Sequence, residues 1–197
     1  SEDGGDRCMK QVLKSGTMAD KVAAMTLLVQ ESPVHRLSVL DNLMALALTK
    51  EQRTSRMAVE SLKDLFVNHL LPDGRRLRPL EQQPLGGNAE PLRLIVGYFE
   101  EQVRARYLSL VQMLQQAMRD TVQDFKRFAL DTAVGLLARK PEQEAALLAM
   151  VVNKLGDPDR KTASRAAGAL RTLLRRHGAM TAIVVREVQS VLMRTNL

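Results

Sequence analysis

Apolar residues recur every three or four positions along most of the chain, the spacing of one face of an α-helix. Short polar or Pro/Gly-containing connections separate these stretches, and the alternation typical of a strand is not convincing anywhere. The pattern therefore predicts an all-α protein of about nine helices. The predicted helical stretches are 8–14, 17–31, 33–48, 59–70, 92–118, 120–139, 141–155, 157–177 and 180–194.

The most regular stretch is 151–180, VVNKLGDPDRKTASRAAGALRTLLRRHGAM. Gly156 suits the left-handed conformation that ends a helix, and Asp157 is predicted to cap the next helix, with Pro158 in its first position. At about 100° per residue, one side of this helix is apolar and the other is basic. The apolar side holds Ala163, Ala166, Leu170, Leu173 and Leu174. The basic side, here called the basic face, holds Arg160, Lys161, Arg165, Arg171, Arg175 and Arg176.

Helical hairpins with short connections recur about every 35–45 residues, which is the range of HEAT-type repeats. The sequence therefore predicts a HEAT-like or armadillo-like helical-repeat solenoid. Its predicted organisation is a flexible N-terminal end (1–8), first helical hairpins (9–70), a Pro/Gly-rich loop (71–91) and further HEAT-like hairpins (92–197). We expect the solenoid of the natural protein to continue beyond residue 197, because the last predicted helix has an apolar side that needs a neighbour.

The 71–91 stretch contains four prolines and three glycines, and its centre is basic, with Arg75, Arg76 and Arg78. A loop of this length in a compact chain is usually functional or partly disordered. These three arginines are therefore candidates, with the basic face, for contact with a polyanion.

The net charge is +7 and the calculated isoelectric point is about 9.9. The charge is uneven, because residues 154–197 hold nine Lys/Arg against three Asp/Glu, a difference of +6. A basic segment of this kind indicates a polyanion partner, chiefly nucleic acid, and a solvated surface face is the alternative that the charge leaves open.

No arrangement of residues typical of catalysis is present. His35, His69 and His177 stand far apart, without metal-ligand spacing, and Cys8 is the only cysteine, which favours a nuclear or cytosolic compartment. We expect no enzyme activity, cofactor, metal, membrane association or small-molecule substrate. Tyr98, Phe99 and Tyr107 lie on one predicted helix, where packing is favoured over the stacking of bases.

Four stretches resemble one family. They are 13–33 (LKSGTMADKVAAMTLLVQESP), 60–66 with 70–73 (ESLKDLF and LLPD), 98–100 (YFE), and 140–144 leading into 151–158 (KPEQE and VVNKLGDP). In this order they resemble the family of nucleolar complex protein 1, also called CCAAT/enhancer-binding protein zeta, in its N-terminal part. Gly74 and Gly97 depart from the family pattern, where arginine and tryptophan are expected.

The resemblance implies a HEAT-like scaffold of the nucleolus and nucleus that acts in early assembly of the large ribosomal subunit and in rRNA processing. It implies binding to pre-ribosomal RNA, pairing with nucleolar complex protein 2 and other pre-ribosomal assembly factors, and no enzyme activity. It carries no site residue across, so the RNA-binding candidates rest on charge alone. Two alternatives remain open: a solenoid that binds only proteins, and a transcription factor that binds CCAAT elements.

Overall fold

The computed structural model describes residues 11–83 and 91–195, and within them the chain is helical without a strand. Residues 11–15 form a short helical segment. Eight longer helices follow: α1 (Met18–Glu31), α2 (Leu37–Ala47), α3 (Gln52–Leu65), α4 (Pro91–Ala117), α5 (Gln123–Leu137), α6 (Glu144–Asn153), α7 (Arg160–Arg176) and α8 (Thr181–Thr195). The prediction of an all-α chain of about nine helices is confirmed for these residues, and the solenoid stays a prediction. The flexible end predicted at 1–8 lies outside them.

The chain divides into two compact units. The first comprises Ser1–Pro72 and Leu77–Tyr107, and the second comprises Asp73–Arg76 and Leu108–Leu197. The division falls inside the predicted loop, because Arg75 and Arg76 belong to the second unit and Arg78 to the first. The domain limits drawn from the sequence stay predictions.

In the first unit, α1, α2 and α3 pack on one another around a leucine-rich core. Its fully buried side chains include Leu40, Leu43, Leu62, Leu65, Phe66 and Tyr107. A capping box begins α1: the Thr17 hydroxyl accepts from Asp20 N–H at 3.2 Å, and Thr17 N–H donates to the Asp20 carboxylate at 3.0 Å. Gly16 precedes it because a Cβ there would lie 2.6 Å from the Val12 carbonyl oxygen.

In the second unit, α6 packs against three other helices. Helix α5 packs on α6 and α7, α6 packs on α7, and α6 also contacts α8. The fully buried leucines of this unit include Leu110, Leu114, Leu130, Leu136, Leu147 and Leu148. This packing places α7 with one side against two helices and the other side in solvent.

Three predicted boundaries in the second unit are wrong. Gly156 is not left-handed but ends a 3-10 turn, Lys154–Gly156. Asp120 does not cap α5, which begins three residues later at Gln123, although its carboxylate accepts from Val122 N–H at 2.9 Å. Helix α6 begins at Glu144 rather than Pro141, because Gln143 is left-handed, with φ 54°. Turns thus occupy residues that the sequence pattern assigns to helices.

Candidate nucleic-acid interface

Helix α7 begins at Arg160 because Asp159, not Asp157, is its N-cap. The Asp159 carboxylate accepts from Thr162 N–H at 3.2 Å and from the Thr162 hydroxyl at 2.7 Å. These hydrogen bonds, led by the one from the Thr162 hydroxyl, lower the pKa of Asp159. The cap therefore carries a full negative charge at neutral pH and fixes the first turn of the helix.

Asp157, the cap expected from the sequence, instead ties the preceding turn to α5. Its side chain is 2% exposed and accepts from Lys154 Nζ at 2.9 Å, Lys126 Nζ at 3.4 Å and Asp159 N–H at 3.0 Å. Burial acts to raise the pKa of Asp157, but the Lys154 hydrogen bond, the Asp159 N–H and the two ammonium charges outweigh it, so the pKa is lowered. This buried cluster fixes where α7 starts relative to α5.

The inner side of α7 is set by small and branched apolar residues. Ala166, Leu170 and Leu173 are buried, as is Thr162 in the first turn. The alanine allows close approach of the neighbouring helices, and the leucines fill the space between them. As a result, α7 holds one fixed rotation about its axis, and its basic side faces solvent.

All six cations of the basic face are exposed, as the helical spacing predicts. One of them is paired: Arg165 donates its Nε–H to Asp131 of α5 at 2.6 Å. For the other five, no carboxylate of residues 11–83 or 91–195 lies within salt-bridge distance. These five are Arg160, Lys161, Arg171, Arg175 and Arg176. The basic face thus presents a surplus of positive charge that the fold itself does not use.

The structure adds a cation that the sequence analysis missed. Arg127 of α5 lies beside the start of α7, where it donates to Asp159 at 2.8 Å and to Asp124 at 2.5 Å. The hydrogen bond to Asp124, with the charges of both carboxylates, raises the pKa of Arg127. The only signal in the sequence was its i,i+3 spacing from Asp124, which says nothing about α7.

Arg127 and the first part of the basic face line a shallow open depression of about 640 Å³. Its lining residues are Arg127, Arg160, Lys161, Ser164 and Arg165. Four cations from two helices therefore converge on one place at the surface, together with one hydroxyl group.

The three arginines of the loop are placed differently. Arg76 donates its Nε–H to the Pro141 carbonyl at 3.1 Å and contacts Glu144 of α6 at 3.2 Å. Arg75 donates to the Arg76 carbonyl at 3.1 Å, and the main-chain N–H of Arg78 donates to Glu100 at 3.3 Å. Arg76 therefore stabilises the loop against α6.

The aromatic residues considered for stacking on bases differ in burial. Tyr107 is fully buried, with its ring 5.1 Å from that of Phe66, as expected for packing. Tyr98, for which packing was also favoured, is 57% exposed. We assign Tyr98 no role in the interface.

Other kinds of site find no support in the described part of the chain. There, no three His, Cys, Asp or Glu side chains are grouped as metal ligands. No helix in that part has both the length and the apolar character needed to cross a membrane. The candidate site is therefore the basic face of α7.

These features define an all-helical protein whose second unit exposes a basic helix face. No family model matches the chain, but curated relatives do. This chain is 39% identical over 204 residues to CCAAT/enhancer-binding protein zeta of Mus musculus. The match covers 98% of this chain and 19% of that protein. The chain is 38% identical over 207 residues to Ribosome biogenesis protein NOC1 of Chaetomium thermophilum, covering 94% of this chain and 20% of that protein. Nucleolar complex protein 1 of Drosophila melanogaster is 29% identical over 97% of this chain and 17% of its own length.

The chain belongs to the nucleolar complex protein 1 and CCAAT/enhancer-binding protein zeta family, and the resemblance seen in the sequence is confirmed. The family is nucleolar and nuclear, which confirms the predicted localisation. The chain spans about a fifth of the length of the curated relatives it matches.

Proposed function

We propose that this chain is a non-catalytic part of a nucleolar assembly factor for the large ribosomal subunit, and that it binds pre-ribosomal RNA through the basic face. The role in ribosome biogenesis is supported by the names of the relatives from Chaetomium thermophilum and Drosophila melanogaster. The HEAT-like solenoid, the RNA contact and the protein partners are further parts of the proposal.

One observation carries the RNA contact: five exposed cations of α7 have no carboxylate partner among the described residues. Cations that stabilise a fold are paired, as Lys126, Lys154 and Arg76 are in this unit. Unpaired arginines on one rigid helix can contact successive phosphates, and arginine binds phosphate with two parallel hydrogen bonds. Such a surface binds an RNA backbone by charge and shape rather than by base sequence.

We propose nucleolar complex protein 2 and other pre-ribosomal assembly factors as protein partners, as the family resemblance implies. The structure offers no residue for that contact, and the proposal rests on family membership alone. A solenoid that binds only proteins is the alternative. In it, the basic face would contact acidic tails, and association would survive nuclease and high salt.

The test places a photo-crosslinking amino acid in the full-length protein at Thr172, which is exposed on α7 among the basic residues. We expect crosslinks to pre-ribosomal RNA from this position. The matched control carries the same amino acid at Glu60, an exposed position on α3, where we expect no RNA crosslinks. Crosslinks from Thr172 to proteins alone would contradict the RNA contact and favour the protein-only alternative.

The name CCAAT/enhancer-binding protein zeta also points to another candidate function, sequence-specific DNA binding. Helix α7 contains no Asn or Gln, the residues that read adenine through two hydrogen bonds. We therefore expect CCAAT and scrambled duplexes to compete equally for this chain. A clear preference for the CCAAT duplex in competition binding would overturn that expectation.

A further inference from the structure

We propose that the depression at the start of α7 is a discrete seat for one phosphate group of the RNA backbone. The inference deepens the proposed function and rests on it, because it names one anchoring point within the basic face. The seat is lined by Arg127, Arg160, Lys161, Ser164 and Arg165.

The lining has the donors that a phosphate needs. Arg160 and Lys161 have no carboxylate partner among the described residues, so all their N–H donors are available. Arg165 uses its Nε–H for Asp131, and no described contact uses its two Nη groups. Ser164 is exposed and supplies a neutral hydroxyl donor. No acidic side chain lines the depression, so a phosphate there would meet no negative charge in direct contact.

Two of the arginines are held in place before any ligand arrives. Arg127 is fixed by Asp159 at 2.8 Å and by Asp124 at 2.5 Å, and Arg165 is fixed by Asp131 at 2.6 Å. Long side chains that are already ordered lose less conformational entropy on binding. The three carboxylates thus orient the cations while leaving donors free on Arg165.

The start of α7 suits a bound phosphate better than the end of this helix does. The depression lies in the first two turns, where the helix dipole is positive, and Arg171, Arg175 and Arg176 lie towards its negative end. Asp159 already uses the Thr162 N–H, so the seat works through side chains rather than main-chain N–H groups. We infer that one phosphate is anchored at the start of α7, and that the later arginines add a more diffuse attraction.

The experiment is a titration of this chain with inorganic phosphate at constant ionic strength, followed by NMR of backbone amides and arginine Nε–H groups. Chloride is the control anion. For the wild-type chain we expect saturable shifts confined to residues 160–165 and Arg127. Replacing Arg160→Gln and Lys161→Gln together is expected to weaken phosphate binding at least tenfold. The matched variant Arg171→Gln/Arg175→Gln keeps the seat and is expected to bind phosphate within twofold of wild type.

An RNA arm separates this proposal from the proposed function. We expect R160Q/K161Q to lower RNA affinity more than R171Q/R175Q, although each removes two charges. Shifts that never saturate, or that are equal in both variants, would overturn the seat, while RNA binding through the later arginines would be unaffected. Saturable phosphate binding with unchanged RNA affinity in R160Q/K161Q would overturn RNA as the source of the phosphate.

Discussion

The second unit has two groups of cations that differ in what they contact. Around the two ends of α6, Arg76, Lys126, Lys140 and Lys154 each contact a carboxylate, and Lys126 and Lys140 are less than 10% exposed. We call these four the bracing cations. Along α7, five of the six cations of the basic face are exposed and lack a carboxylate partner in the described part of the chain.

Three of the four bracing cations contact a carboxylate that is distant in sequence. Lys126 and Asp157 are 31 residues apart, Lys140 and Asp73 are 67 apart, and Arg76 and Glu144 are 68 apart. Amino-acid composition does not distinguish a bracing cation from one of the five unpaired cations of α7, although only the unpaired cations are available to bind a ligand. A basic stretch is therefore evidence for a polyanion partner only after its internal ion pairs have been subtracted.

We expect the largest effect on stability at the buried ion pair between Lys126 and Asp157. Replacing Asp157→Ala leaves Lys126 buried without its counter-ion, and we expect the free energy of unfolding to fall by about 3 kcal/mol. Urea unfolding followed by circular dichroism measures this. Replacing Arg171→Gln on the basic face should change the same quantity by less than about 0.5 kcal/mol. Equal losses for the two variants would remove the distinction between the groups.

The same residue gives an expected pH dependence. Because the folded pKa of Asp157 is lowered, its contribution to stability is present above about pH 4 and is lost as pH falls through the folded pKa. Asp159 acts in the same direction. We expect stability to decline as the pH falls below about 4, and Asp157→Asn to reduce that decline. Urea midpoints measured across this range would contradict us if Asp157→Asn and wild type ran parallel.

The smallest effect is expected at the exposed end of the bracing group. Arg76 is 63% exposed, so its pair with Glu144 is worth about 0–1 kcal/mol. The variant Arg76→Gln should mainly speed amide hydrogen exchange at residues 73–76. Its RNA affinity should stay within twofold of wild type. A large loss of RNA affinity would move Arg76 from the bracing cations to the RNA-binding residues.

Local patterns sufficed for the helical fold. The 3.6-residue spacing placed the buried leucines, Thr17 capped α1, and the basic face emerged on the exposed side of α7. Local patterns do not show the places where a distant side chain determines the structure. Asp157 is predicted as a cap because Pro158 follows it, but in the structure its carboxylate is buried and contacts Lys126 and Lys154. Arg127 joined the candidate site only through the packing of α5 on α7, which no local spacing shows.

The central claim is that the unpaired cations of α7 bind the RNA backbone. The most direct measurement is the affinity of this chain for structured RNA across a salt series, with Arg171→Gln/Arg175→Gln/Arg176→Gln beside wild type. The matched control is Lys14→Gln/Lys50→Gln/Arg53→Gln, which removes the same charge from exposed positions of the first unit. We predict that the α7 variant lowers the slope of log affinity against log salt by about 2, and that the control leaves it unchanged. Equal slopes for the two variants would contradict the claim, because net charge rather than the basic face would then set the affinity.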